Sequence, residues 1–249
     1  MLRSGHAPRS LFGARTAALR AGLAALILLP PVWLAGSTLA PGGGPVAVGA
    51  HLIISTVIVM SFGRHWSPPL LGLANLVTLL RAALASLLSV PIVFPPDSAS
   101  STSWLLAGGA AIALALDGVD GMLARRTGLA TAFGARFDME VDAVFAALLS
   151  IAILRMQEAG PWILLLGLMR YLFVLASWPL PWLAAPLTQR RRRKAVCVIQ
   201  IATLVALLSP LVQPPLSGIL GAVATLLLAW SFGTDIRELA SGRSRAWER

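Results

Sequence analysis

Apolar runs of about twenty residues recur along the whole of this chain, and that is the length an α-helix needs to cross the hydrocarbon core of a bilayer. Eight such runs can be read, at about 21–40, 44–62, 76–95, 103–123, 137–154, 161–182, 195–212 and 216–234. In lipid every backbone N–H and C=O must be satisfied inside the protein, so runs this long and this apolar fold as helices. Charged residues make up 12% of the chain, against roughly a quarter in soluble domains. The expected fold is all-α, a polytopic membrane helix bundle. Trp66, Trp104, Trp162 and Trp182 fall near proposed span ends, where indoles serve either as interfacial anchors or as packing residues.

Lysine and arginine set the orientation, because short cytoplasmic loops carry the excess positive charge. With the N-terminus inside, the cytoplasmic face collects Arg3, Arg9, Arg15, Arg64, Arg125, Arg126, Arg136, the run Arg190 to Lys194, and Arg237, Arg243, Arg245 and Arg249. The outer loops, around Pro41 to Gly44, Pro95 to Ser103 and Gln213 to Pro215, have none. Arg155 alone goes against the pattern. Both termini are therefore expected in the cytoplasm, in the inner membrane if the source is bacterial. The net charge of +10 is accounted for by attraction to anionic membrane lipids, about 1 kcal/mol per basic residue near the surface, and no nucleic-acid partner is needed. The single cysteine, Cys197, excludes an intramolecular disulfide and reads as a small buried hydrophobe.

Basic residues, an apolar run and Ser37-Thr-Leu-Ala40 imitate a secretory signal with a small-residue cleavage site. An uncleaved helix is expected instead, since the run is long for a signal core and the next span restores the orientation that the later charges require. Pro30-Pro31 should kink it. Residues 1–66 then form a two-helix membrane extension, closed by the loop from Gly63 to Pro69, and residues 236–249 a cytoplasmic tail. Since every residue singled out below lies beyond 66, the extension is expected to be separable, serving packing, partner binding or targeting.

Four aspartates interrupt the apolar pattern: Asp117 and Asp120 in one helix, Asp138 and Asp142 in the next. Ionised carboxylates at membrane depth are costly, so four of them ask for a cation. Asp117 and Asp120 are three apart and share a helix face, with Ala124 four beyond; Asp138 and Asp142 are four apart, with Gly134 four before. Two helices joined by a short cytoplasmic turn would point these carboxylates at one another. Gly118, Gly121, Ala124 and Gly134 leave backbone open nearby to close packing or to a ligand. Carboxylates without a nearby His or Cys make a hard oxygen site, which favours Mg²⁺ or Mn²⁺ over Zn²⁺. His6, His51 and His65 are scattered, without ligand spacing.

The stretch from Asp117 to Asp142 is similar, position by position, to the signature of the CDP-alcohol phosphatidyltransferase family: Asp117, two residues, Asp120-Gly121, two residues, Ala124-Arg125, eight residues, Gly134, three residues, Asp138, three residues, Asp142. Upstream, Leu73-Ala-Asn-Leu-Val-Thr-Leu-Leu-Arg81 resembles the family's Pro-Asn-x-x-Thr-x-x-Arg entry to its first core helix, with Ala74 where proline is common. The resemblance covers about residues 70–235, a six-helix core within a domain of 67–235. It implies transfer of a phosphatidyl or other substituted phosphate group from a CDP-linked donor such as CDP-diacylglycerol to a small alcohol acceptor, releasing CMP, in phospholipid biosynthesis. It further implies that Asp117, Asp120 and Asp138 hold two divalent cations, with Asp142 as a shared ligand and as the base for the acceptor hydroxyl. Gly121, Ala124, Arg125 and Gly134, with Asn75 and Thr78, would form the donor site. A homodimer is compatible with such a bundle.

Arg170, inside the sixth span, suits either acceptor phosphate or a structural ion pair. The run before the seventh span resembles the family's basic acceptor stretch, with Arg193 and Lys194 as candidates, although the usual Lys-x-Lys-Thr is reduced to Lys194-Ala195-Val196. Such a cluster also suits a lipid-facing anchor. Glu140 falls about 200° round the helix from Asp138, away from the metals, and Gln200 suits polar contact between helices. Two other functions stay open: a noncatalytic lipid-binding scaffold that has lost its acceptor site, and a cation-coupled transporter, which would spread its carboxylates through the membrane depth. Glycerol 3-phosphate, inositol or its phosphate, serine, choline and phosphatidylglycerol all remain candidate acceptors.

Overall fold

The structure, a computed structural model, describes residues 11–65, 73–96, 100–126, 132–185 and 191–247, with side chains left undescribed over parts of these, among them 73–75, 119–126 and 132–138. Ten α-helices follow in order: α1 Leu11–Ile27, α2 Leu29–Leu39, α3 Gly43–His65, α4 Leu73–Leu87, α5 Ser89–Val93, α6 Ser101–Arg126, α7 Ala132–Arg155, α8 Ile163–Ser177, α9 Arg191–Leu208 and α10 Leu216–Trp247. A short 3₁₀ turn, Pro181–Ala184, follows α8. Among the described residues there is no strand. The chain is an all-α membrane helix bundle. Leu19–Leu39, Leu76–Val93 and Leu216–Ser241 are each long and apolar enough to cross a bilayer, and Gly43–Val57 and Ile163–Ser177 are shorter apolar helices.

Two of the breaks between these helices are proline events, each inside one apolar run. Pro30 and Pro31 lack the N–H groups that would bond Leu26 and Ile27, so α1 ends at Ile27 and α2 restarts after Leu28 with proline in its first turn. Pro91 does the same where α4 gives way to α5 after Leu88. Leu19–Leu39 and Leu76–Val93 each continue through such a break as one apolar stretch, so α1 with α2 and α4 with α5 each correspond to a single apolar run.

Residues 1–87 and 115–141 form one compact unit, and 88–114 with 142–249 form a second. In the first, α1, α2 and α3 pack on one another and all three reach α4. Gly36 lets α2 lie against the start of α3, since a Cβ there would come within 2.7 Å of the Gly43 carbonyl oxygen. His51, fully buried on α3, donates from Nε2 to the Ala25 carbonyl of α1 at 3.1 Å. Ala25 lies just before the proline break, so the bond ties α3 to α1 where helical continuity ends.

In the second unit α9 and α8 both pack on α10. Trp162 lies over Gly221 of α10, where any Cβ would collide with its ring, so this indole is a packing residue; Trp104 is half exposed. Gln200 on α9 donates its side-chain amide to the Leu166 carbonyl of α8, the polar helix–helix contact expected of it. Arg155, which goes against the charge pattern expected from sequence, donates from Nε to the Ile92 carbonyl at the end of α5 at 2.9 Å. It satisfies a helix C-terminal carbonyl. Cys197 is half-buried.

Helix α10 runs to Trp247, well past the apolar run ending near 234, so that residues 236–247 of the segment expected as a tail are helical. Leu239, only 8% exposed, shows that packing continues there.

Candidate active site

The aspartates sit on two successive long helices. Asp117 and Asp120 lie three apart near the end of α6, and Asp138 and Asp142 lie one turn apart on α7. Neither segment contains proline, and α6 runs through Gly118 and Gly121 without a break because the helix supplies its own backbone bonds in either case.

Asp117 is the aspartate whose partner is clearest. Its Oδ1 lies 3.1 Å from a guanidinium nitrogen of Arg81 on α4, with the arginine side chain 3% exposed and the aspartate 21%. A guanidinium stays protonated, so it brings a fixed positive charge against the Asp117 carboxyl. Arg81 is the last residue of the Asn75-x-x-Thr78-x-x-Arg81 pattern, and Thr78, one turn before it, is buried on the same helix. The upstream motif and the aspartate signature are thus joined by an ion pair within one unit. No role was expected for Arg81 from sequence.

Asp142 is half-buried, Glu140 is exposed, and Val141 between them is buried. Glu140 therefore sits on a different side of α7 from Val141. The side chains of Asp120, Gly121, Ala124, Arg125, Gly134, Asp138 and Asn75 lie outside the described residues, and only their places on α6, α7 and α4 are given. Among the described residues no three His, Cys, Asp or Glu side chains form a metal cluster. The donor chemistry still suits a hard divalent ion, since all four signature residues offer carboxylate oxygens.

A chain with these helices, this aspartate spacing and the α4 motif can be placed by comparison. A model of the CDP-alcohol phosphatidyltransferase family matches residues 71–232. The chain belongs to this family. The match takes in every signature residue and begins six residues after α3 ends, so α1, α2 and α3 lie outside the family core. Neither a curated relative nor a solved structure matches the chain at a significant level.

The basic run of this family member is less open than its sequence suggests. Arg192 donates to Asp235 Oδ1 at 2.6 Å, to the Ser231 carbonyl at 2.9 Å and to Ser231 Oγ at 3.1 Å, and lies 5.3 Å from the Trp230 ring centre. Arg193 Nε approaches the same Asp235 oxygen at 3.4 Å. Asp235 itself is buried. Two members of the run therefore clamp the start of α9 to α10. Lys194 is exposed and Arg170 half-buried on α8. A polar cavity of about 530 Å³, lined by Arg192, Thr234, Arg237, Glu238 and Ser241, opens beside the clamp. Asp235 and Arg192 were not singled out from sequence; an aspartate at the end of the last apolar run, opposite a basic run, was the available signal.

Proposed function

We propose that this family member transfers a phosphatidyl group from CDP-diacylglycerol, or a closely related CDP-alcohol, to the hydroxyl of a small alcohol, releasing CMP at the cytoplasmic face. The observation that carries the reading is the complete aspartate signature, Asp117 to Asp142, on α6 and α7 within the family match.

In this reading Asp117, Asp120 and Asp138 would hold two divalent cations, Mg²⁺ or Mn²⁺, with Asp142 as a shared ligand, and the ions would supply charge neutralisation on the pyrophosphate and on the attacking and leaving oxygens. The chain's own residues do the rest. Gly121 and Ala124, lacking bulk, admit the cytidine; Arg125 donates to the pyrophosphate as a multidentate cation; Asn75, Thr78 and Gly134 line the donor. Asp142 accepts the proton of the acceptor hydroxyl as its oxygen bonds to the phosphatidyl phosphorus. The bond from that phosphorus to the bridging oxygen breaks, and CMP leaves with the electron pair. Arg81 fits this scheme by holding Asp117 in place until the donor arrives.

Arg170 and Lys194 stay the candidate contacts for the acceptor. With Arg192 and Arg193 committed to Asp235, the family's basic acceptor stretch offers fewer open cations than its sequence implies. The orientation with both termini in the cytoplasm follows from the arginine distribution. Proteoliposomes given CDP-diacylglycerol and each labelled acceptor in turn test the proposal. CMP should appear stoichiometrically with one labelled lipid product, and absence of CMP with every acceptor would refute it.

A further inference from the structure

Helix α1 lies outside the family match, yet it reaches α4, which carries Arg81, and α7, which carries Asp138. Ala21, with no exposed surface, packs in one cluster with Leu79 and Ala82 of α4 and Val141 of α7, and the partly buried Ala24, Leu28 and Ile54 pack against that cluster. Ala82 directly follows Arg81, whose guanidinium meets Asp117. Val141 follows Asp138 by three residues, one helical turn. A single methyl group on α1 therefore sits where the helix bearing Arg81 and the helix bearing Asp138 both meet an element foreign to the family core. The His51 bond to the Ala25 carbonyl, one turn beyond Ala21, holds α1 at this depth.

We propose that α1 is a positioning element for the aspartate centre, with Ala21 setting how closely α4 approaches α7 and so where Arg81 and Asp117 stand relative to Asp138. The proposal rests on the reading of the aspartates as divalent-cation ligands, and it replaces the expectation of a separable extension. The physical basis is close packing. Helices in lipid associate through van der Waals contact between small residues, which lets backbones approach, and a close-packed contact gives way by moving helices when side-chain volume is added. Carboxylates that share a cation tolerate little such movement, since ligand distances are fixed to within a few tenths of an ångström.

The test uses the purified full-length protein, with Mn²⁺ alone as the probe, followed by calorimetry or by the loss of its free-ion magnetic resonance signal. Ala21→Phe should weaken Mn²⁺ binding by about tenfold, equivalent to about 1.4 kcal/mol, and raise the Mn²⁺ concentration for half-maximal CMP release by a similar factor. Leu23→Phe, on the exposed face of the same helix, should leave both at wild-type values. Adding Leu79→Ala to Ala21→Phe, which removes bulk from the same cluster, should recover part of the affinity. Ala21→Val, a smaller addition, gives a measurable weakening of the same sign if the phenylalanine variant does not fold. Wild-type Mn²⁺ affinity in a folded Ala21 variant overturns the proposal. Loss of Mn²⁺ affinity in Ala21→Phe, in a protein that releases no CMP from any CDP-alcohol, would keep the positioning role and refute the transferase reading instead.

Discussion

Arg81→Gln removes the cation beside Asp117 while keeping much of the side-chain volume. Breaking a buried ion pair by deleting one partner costs about 3–5 kcal/mol. Asp117 keeps 21% of its side chain exposed, so water recovers part of that, and roughly 2–3 kcal/mol should remain. At about 2–4 °C per kcal/mol for a chain of this size, the melting temperature in EDTA should fall by roughly 5–10 °C. Divalent ions change the result in a defined direction. A charge about 4 Å away is worth roughly 4 kcal/mol at an effective dielectric of 20, so the variant site is more negative and should bind Mg²⁺ more tightly. Ligand binding adds RT ln(1 + [L]/Kd) to stability, and the penalty in saturating Mg²⁺ should shrink to less than half its value in EDTA. Scanning fluorimetry in detergent micelles, wild type against variant with and without Mg²⁺, reads both numbers. An equal penalty in the two conditions would refute Asp117 as a metal ligand, and no penalty in either would refute the ion pair as a structural contact.

Asp142→Asn should nearly abolish CMP release while donor binding, measured by CDP-diacylglycerol protection against thermal unfolding, stays close to wild type, since three carboxylates remain; near-normal turnover would remove Asp142 as the base. Asp235→Asn should lower the melting temperature through loss of the charged hydrogen bond from Arg192, about 1.5–3 kcal/mol, and Arg192→Met with Asp235→Leu together should cost less than Asp235→Leu alone; additive losses would show that the pair does not interact. Gly221→Val, placing a branched side chain under Trp162, should destabilise by about 1–3 kcal/mol or more, seen as a lower unfolding temperature and altered tryptophan emission; an unchanged protein would mean the α8–α10 approach is not set there.

Much of this molecule is legible along the chain and much less of it across the chain. Hydropathy marked the apolar runs because membrane burial acts on each segment separately, and Leu19–Leu39, Leu76–Val93 and Leu216–Ser241 are helices long and apolar enough to cross; Pro30-Pro31 marked a break because the missing N–H groups act locally. Span ends were less legible. Helix α10 continues to Trp247 and α9 begins in the basic run at Arg191, because charged residues such as Arg and Glu are good helix formers and only hydropathy, not helicity, stops at the membrane surface. The aspartate spacing pointed to one centre since three- and four-residue steps share a helix face. Arg81 to Asp117 and Arg192 to Asp235 join residues 36 and 43 positions apart, and nothing in local spacing pairs them. The same holds for Ala21 and Val141, both unremarkable apolar residues until α1, α4 and α7 are seen to meet. His51 looked scattered because its partner is a backbone carbonyl, which leaves no mark in the sequence.

CMP release from CDP-diacylglycerol by the purified full-length protein, measured first in excess EDTA and then after adding Mg²⁺ or Mn²⁺, tests the central claim most directly. The aspartate centre predicts no release in EDTA, recovery with either ion, and little recovery in Asp117→Asn or Asp120→Asn; full release in excess EDTA, or both variants recovering like wild type, would contradict it.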